Sequence, residues 1–220
     1  FSGMRSVFQW TIGNLSKIGG VHNAMDFSIN DSANLEIGGQ IGLFSNGSQI
    51  GVHLALDSVV NSTAGTNFTC SNNFALINGN HACFSYNYTL ISNAVYYLDV
   101  EIQNRSVRGY ISTPQSNRSD IYNTNLKRTL IGEINWKNEL MYLSPQSYWV
   151  ANYYGDSCKN LSAISTFNFV PVSYNNVIKK MRSFYSSNLF DTTLCGPQNL
   201  IGLTNFAHNV TMSISRPPAI

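Results

Sequence analysis

The chain has 220 residues, a mass of 24.4 kDa, and thirteen Lys+Arg against eleven Asp+Glu, for a formal net charge of +2. That length buries a core without a metal, and so small a charge offers no field to hold nucleic acid. Charged residues make up only 11%, so the polar surface falls to 28 Asn, 27 Ser and 13 Thr, and no apolar run reaches the ~18 residues of a membrane helix.

The first segment with a clear period is Val7–Gly13, in which Phe8, Trp10 and Ile12 point one way and Gln9 and Thr11 the other. Large apolar residues at period two near a chain end make a strand suited to insertion into a groove. Asn14-Leu15-Ser16 and Gly19-Gly20 follow as a flexible neck. The expected organisation is therefore a donor-strand tail and neck over residues 1–20 and a β-sandwich head over 21–220. Two arrangements compete: the strand pairs within its own sandwich, or it fills a groove in a neighbouring copy.

Hairpin signals dominate the head. Leu35 to Ile37 and Ile41 to Phe44 lead into Asn46-Gly47, after which Ile50, Val52, Leu54 and Leu56 alternate with Gly51, His53 and Ala55. An Asn-Gly pair between alternating runs is a strong hairpin signal. Phe74 to Ile77, Asn78-Gly79 and Ala82 to Phe84 repeat it. Val95 to Ile102 and Val107 to Ile111 flank a turn at Gln103–Ser106, and Leu130 to Ile134 is expected to join Leu140 to Leu143 as a hairpin through Trp136. Further strands are expected at Tyr148–Tyr153, Ile164–Val170 and Asn209–Ser215. Tyr174, Val177, Ile178, Met181, Phe184 and Tyr185 follow helical spacing, with Ser173 at the N-cap position. The fold class is all-β: an Ig-like or pilin-like sandwich with one short helix and an N-terminal extension acting as a strand.

Asn-X-Ser/Thr acceptors occur at Asn14, Asn30, Asn46, Asn61, Asn67, Asn87, Asn104, Asn117, Asn160 and Asn209. That is about twice the chance number for this composition, and it points to covalent N-glycans on an extracellular surface. The first residue is Phe1 rather than Met, as expected after removal of a secretion signal. Four cysteines allow three pairings. Short loops close most often, which favours Cys70–Cys83 and Cys158–Cys195.

Catalytic signatures are absent from the sequence. His22, His53, His81 and His208 stand apart from one another and read as surface or satisfied core residues. No nucleophile elbow or phosphate loop occurs. Asp99 and Glu101 share one face of a strand, as two glycosidase carboxylates would, but read as a solvated face opposite Val100 and Ile102. The expectation is a chain that is not an enzyme, with no cofactor and no metal. Trp136, at a turn, and Trp149, beside Tyr148 and Tyr153, are possible sugar platforms.

The free strand at Phe8, Trp10 and Ile12, the dense sequons, the low charge and the lack of an apolar leader helix resemble pilins that polymerise by donor strands, most of all the thread filaments of thermoacidophilic archaea. That resemblance implies a surface filament of identical subunits, joined head to tail, with roles in adhesion or biofilm. The scarcity of carboxylates fits acid surroundings, because fewer groups change charge as pH falls. The alternatives are a viral attachment glycoprotein that binds its receptor through loops, or a secreted carbohydrate-binding module.

Overall fold

The computed structural model describes residues 2–12, 20–45, 49–57, 59–72, 81–117, 123, 125–154, 164–169, 172–174, 178–180, 202–206 and 209–214. Side chains are described within 2–10, 22–44, 49–57, 59–72, 81–117, 123 and 125–143. The strands run β1 (Gly3–Ile12), β2 (Gly20–Asp31), β3 (Glu36–Ser45), β4 (Ile50–Leu56), β5 (Asn61–Ala64), β6 (Thr69–Ser71), β7 (His81–Ser85) and β8 (Val95–Gln103). They continue as β9 (Ser106–Ser112), β10 (Arg128–Asn135), β11 (Leu140–Tyr154), β12 (Ile164–Phe169), β13 (Val172–Tyr174), β14 (Ile178–Lys180), β15 (Gly202–Phe206) and β16 (Asn209–Ile214).

All pairings between these strands are antiparallel, and they form two sheets. The first sheet has the order β15-β16-β12-β1-β8-β9-β10-β5, with the β13–β14 pair attached to β1; the second has the order β11-β2-β3-β4-β7-β6. Ten and six strands exceed the roughly seven to nine of an immunoglobulin-like sandwich, so the expected fold holds only at the level of an all-β, two-sheet architecture.

Period-two alternation supplies one side of each strand to a common core. Met4, Phe8 and Trp10 of β1 join Tyr96, Leu98, Val100 and Ile102 of β8 from the first sheet. Met25, Phe27 and Ile29 of β2, Ile41 and Leu43 of β3, and Val52, Leu54 and Leu56 of β4 meet them from the second. Burying one such side chain is worth ~1.5–3 kcal/mol relative to exposure. The β3–β4 and β8–β9 hairpins form where expected, with Asn104 at φ 55° in the tight turn between β8 and β9. The turn at Asn46-Gly47 and the segment Phe74–Gly79 lie outside the described residues.

Three expectations are corrected. No helix occurs among the described residues: Val172–Tyr174 and Ile178–Lys180 pair as strands, and β13 docks on Gly3–Arg5 of β1. Tyr174 and Ile178 fit both periods, and the free edge of β1 selects the extended one. Val177, Met181, Phe184 and Tyr185 lie outside the described residues. β10 and β11 do not form a hairpin but belong to different sheets, because Trp136 turns inward and anchors the crossing. Finally, Gly3–Ile12 is not a separate tail: β1 is an interior strand of this chain's own first sheet.

The disulfide joins Cys70 to Cys83, cross-strand partners in β6 and β7, with Cα atoms 4.0 Å apart. Gly132 on the opposite sheet makes room for it: a Cβ at that position would lie 2.5 Å from Cys83 Sγ. Cys158 and Cys195 lie outside the described residues. Among the described residues no helix is long and apolar enough to cross a membrane.

Candidate functional site at the slot of the first strand

β1 runs between β8 on one side and β12 with β13 on the other. Gly3 to Gln9 pair with Glu101 back to Val95, Phe8 to Ile12 pair with Asn168 back to Ile164, and Gly3 to Arg5 pair with β13. Of the three residues expected to form the donor strand, Phe8 and Trp10 are 0% and 2% exposed in the core between the sheets. Ile12 pairs with Ile164, and its side chain lies outside the described residues.

The opposite side of the slot is charged. Arg5 lies directly across from Asp99. Its Nε donates to Asp99 Oδ1 at 2.6 Å and its Nη2 to Oδ2 at 2.9 Å. Its Nη1 donates to the Asn123 carbonyl at 2.5 Å. Arg128 Nη1 reaches Asp99 Oδ2 at 2.7 Å and Glu101 Oε1 at 2.6 Å. The side chains of Arg5 and Asp99 are 3% and 0% exposed. The solvated face expected for Asp99 is thus a cluster of two guanidinium and two carboxylate groups, buried at Arg5 and Asp99 and partly exposed at Arg128 and Glu101. Burial opposes the charge on Arg128, but its bonds to Glu101 and Asp99 outweigh that and raise its pKa. Val7, Val95 and Tyr97 form a small apolar cluster on the same side, with Leu126 packed over it. Gln9, expected on this face, is half-buried and donates to the Asn93 carbonyl at 2.6 Å.

Two further polar groups went unrecognised in the sequence. On the side of the second sheet away from the main core, His22 and His53 are buried, and their Nε2 atoms stand 3.2 Å apart. Burial lowers the pKa of His22 to about 4 and that of His53 well below its ordinary value, with the neighbouring imidazole adding to the effect on His53. Asp31 closes the other end. Its Oδ2 accepts from Trp136 Nε1 at 2.9 Å and Asn138 Nδ2 at 2.7 Å, and its Oδ1 from the amides of Ala33 and Leu35 at 2.8 and 2.9 Å. The Trp136 bond does most to hold the Asp31 carboxyl at about 2; burial opposes it, and the other bonds add to it. Trp136 is only 8% exposed, so it is no open sugar platform. The side chain of Trp149 lies outside the described residues. Cys70, His81 and Cys83 bring possible metal-ligand atoms within 4.8 Å of one another, but both sulfurs are taken by the disulfide.

Of the sequon residues, Asn61, Asn67, Asn87, Asn104 and Asn117 are exposed and Asn30 is half-buried. Asn14, Asn46 and Asn160 lie outside the described residues, and of Asn209 only the backbone, in β16, is described.

No family model matches the sequence, and no curated protein matches it. Among solved structures, the chain is similar to scytalido-glutamic peptidase with a peptide-based transition state analog, at 9% identity and a TM-score of 0.36. It is similar also to the same peptidase with a transition state analog inhibitor, at 9% identity and a TM-score of 0.35. Each likeness covers 97% of this chain and 92% of the other. These are structures of an enzyme, so the expectation that this chain is not one is withdrawn. At this identity and TM-score the likeness assigns it no reaction.

Proposed function

We propose that the chain is an extracellular, N-glycosylated filament subunit that polymerises head to tail by passing β1 into the slot of the next copy. The observation that carries this reading is the place of β1: it fills an interior position of a sheet, paired on both edges and buried at Met4, Phe8 and Trp10. A copy whose own β1 has left presents a two-sided groove, and the β1 of another copy satisfies the same hydrogen bonds and pockets. Such β-augmentation, applied head to tail, does not close on itself and so builds a fibre. A disulfide and five exposed sequon asparagines are compatible with an extracellular setting.

Ser6 and Leu98 are register partners, which gives a direct test. One full-length population carries Ser6→Cys and a second carries Leu98→Cys. Neither can close the new disulfide alone, so a mixed disulfide forms only when β1 of one copy occupies the slot of the other. Cross-linked species in the mixture, together with filaments by negative-stain microscopy of the native material, support the reading. A mixture that stays monomeric under oxidation rejects strand exchange and favours a receptor-binding head.

A further inference from the structure

We propose that Arg5 and Asp99 are the recognition code of the slot: it accepts a strand only when a guanidinium stands opposite Asp99, which fixes the register and selects another copy of this chain as the donor. The choice of donor rests on the strand exchange proposed above; the register function stands on the geometry within one chain.

Without β1 the slot holds Asp99, Glu101 and Arg128, and so carries one uncompensated negative charge. Arg128 bonds Asp99 through Oδ2, and it is Arg5 Nε that bonds Oδ1. Apolar pockets alone are poor judges of register, because burial of Met4, Phe8 and Trp10 is non-directional. A one-residue slip turns every side chain to the wrong face, so the relevant error is a slip of two. That error sets Gly3 or Val7 opposite Asp99. Glycine has no side chain to donate and valine no polar atom, so a buried carboxylate would lose its bidentate partner. Removing one member of a buried ion pair is far more costly than removing a surface contact. Lysine substitutes only in part, because the contact uses two guanidinium nitrogens on two carboxylate oxygens while a third reaches the Asn123 carbonyl.

The test is a competition between full-length donors in the trapping assay. Equal amounts of Ser6→Cys and Arg5→Met/Ser6→Cys chains compete for a Leu98→Cys acceptor. The donor with Arg5 is expected to outdo the other by about a hundredfold or more in cross-links, with an Arg5→Lys donor between the two. In an acceptor that also carries Asp99→Asn, the preference should fall to about threefold or less. An equal preference in both acceptors, or none in either, overturns the code. If no donor cross-links at all, strand exchange fails and the code is decided within one chain. Urea unfolding of full-length Arg5→Met, Asp99→Asn and the double variant should then reveal coupling of about tenfold in the unfolding equilibrium constant. Strictly additive effects reject the code.

Discussion

His22 and His53 meet over β3, Nε2 to Nε2 at 3.2 Å, with both rings shut off from solvent. They stand on β2 and β4, either side of β3, with His53 opposite Gly42 and His22 one pair along, opposite Phe44. Such a contact needs one ring to donate and the other to accept, so the pair is stable when at least one ring is neutral. The folded pKa of His22 is about 4 against an ordinary 6.5. Between those values the unfolded chain binds the proton and the folded chain resists it, so stability rises with pH across that window and is lost as pH falls through it. For His22 alone the loss is about 3 kcal/mol on this scale. The urea midpoint should therefore drop steeply from pH 7 to 4.5, and a His22→Gln/His53→Gln variant should flatten that dependence. A flat profile in the native chain would mean that the pair is not held neutral. The imidazoles thus work against the acid tolerance that scarce carboxylates alone imply.

Gly42→Ala tests the same place sterically. A Cβ there would lie 2.5 Å from Ala24 Cα and 2.6 Å from Ala24 Cβ, and would overlap the Asn23 carbonyl. Two of these atoms are backbone, so β2 and β3 must part to admit it. The expected cost is about 1–3 kcal/mol in chemical denaturation. Retention of full stability would show that the two strands separate freely.

Asp31 and Trp136 give a second, lower acid window. The carboxyl titrates at about 2 when folded against 3.8 ordinarily. Its contribution is complete above pH 3.8 and disappears as pH falls towards 2. Asp31→Ala leaves the Trp136 indole and the Asn138 amide without their acceptor, and should lower Tm by about 5 °C or more. The same variant should alter the fluorescence of Trp136. An unchanged Tm would mean that the crossing from β10 to β11 holds without its anchor.

Glycopeptide mapping of secreted material should find sugar at Asn104, which sits at a positive φ in an exposed turn, and at Asn61, Asn67, Asn87 and Asn117. Occupancy at half-buried Asn30 should be lower. Bare asparagine at all five exposed positions would remove the argument for a glycosylated surface.

The sequence reveals those strands whose alternation and turn chemistry agree. β3 and β4 flank Asn46-Gly47, and β8 and β9 meet at Asn104. β2 is harder to read at its start, because Asn23 sets a polar group on the core side against Trp10, and the alternation of Met25, Phe27 and Ile29 begins only beyond it. Whether β10 hairpins onto β11 or crosses to the other sheet depends on a tryptophan 105 positions from its acceptor, which no local pattern encodes. The same holds for Arg5 and Asp99, 94 positions apart. The strand of Phe8 and Trp10 is legible as a strand; its charged side becomes a site only once β8 and Arg128 are set beside it.

The bond between Cys70 and Cys83 also limits how copies can meet side by side. β6, which it fastens to β7, ends the second sheet and spans only three residues; β5 ends the first with four. Open sheet borders invite unwanted ribbon growth, and natural proteins blunt them by keeping the outermost strand short. Here one border is short and stapled, the other short and lined with Asn and Thr. Along this flank, dense packing of many copies on a surface need not turn into amyloid-like sheet stacking.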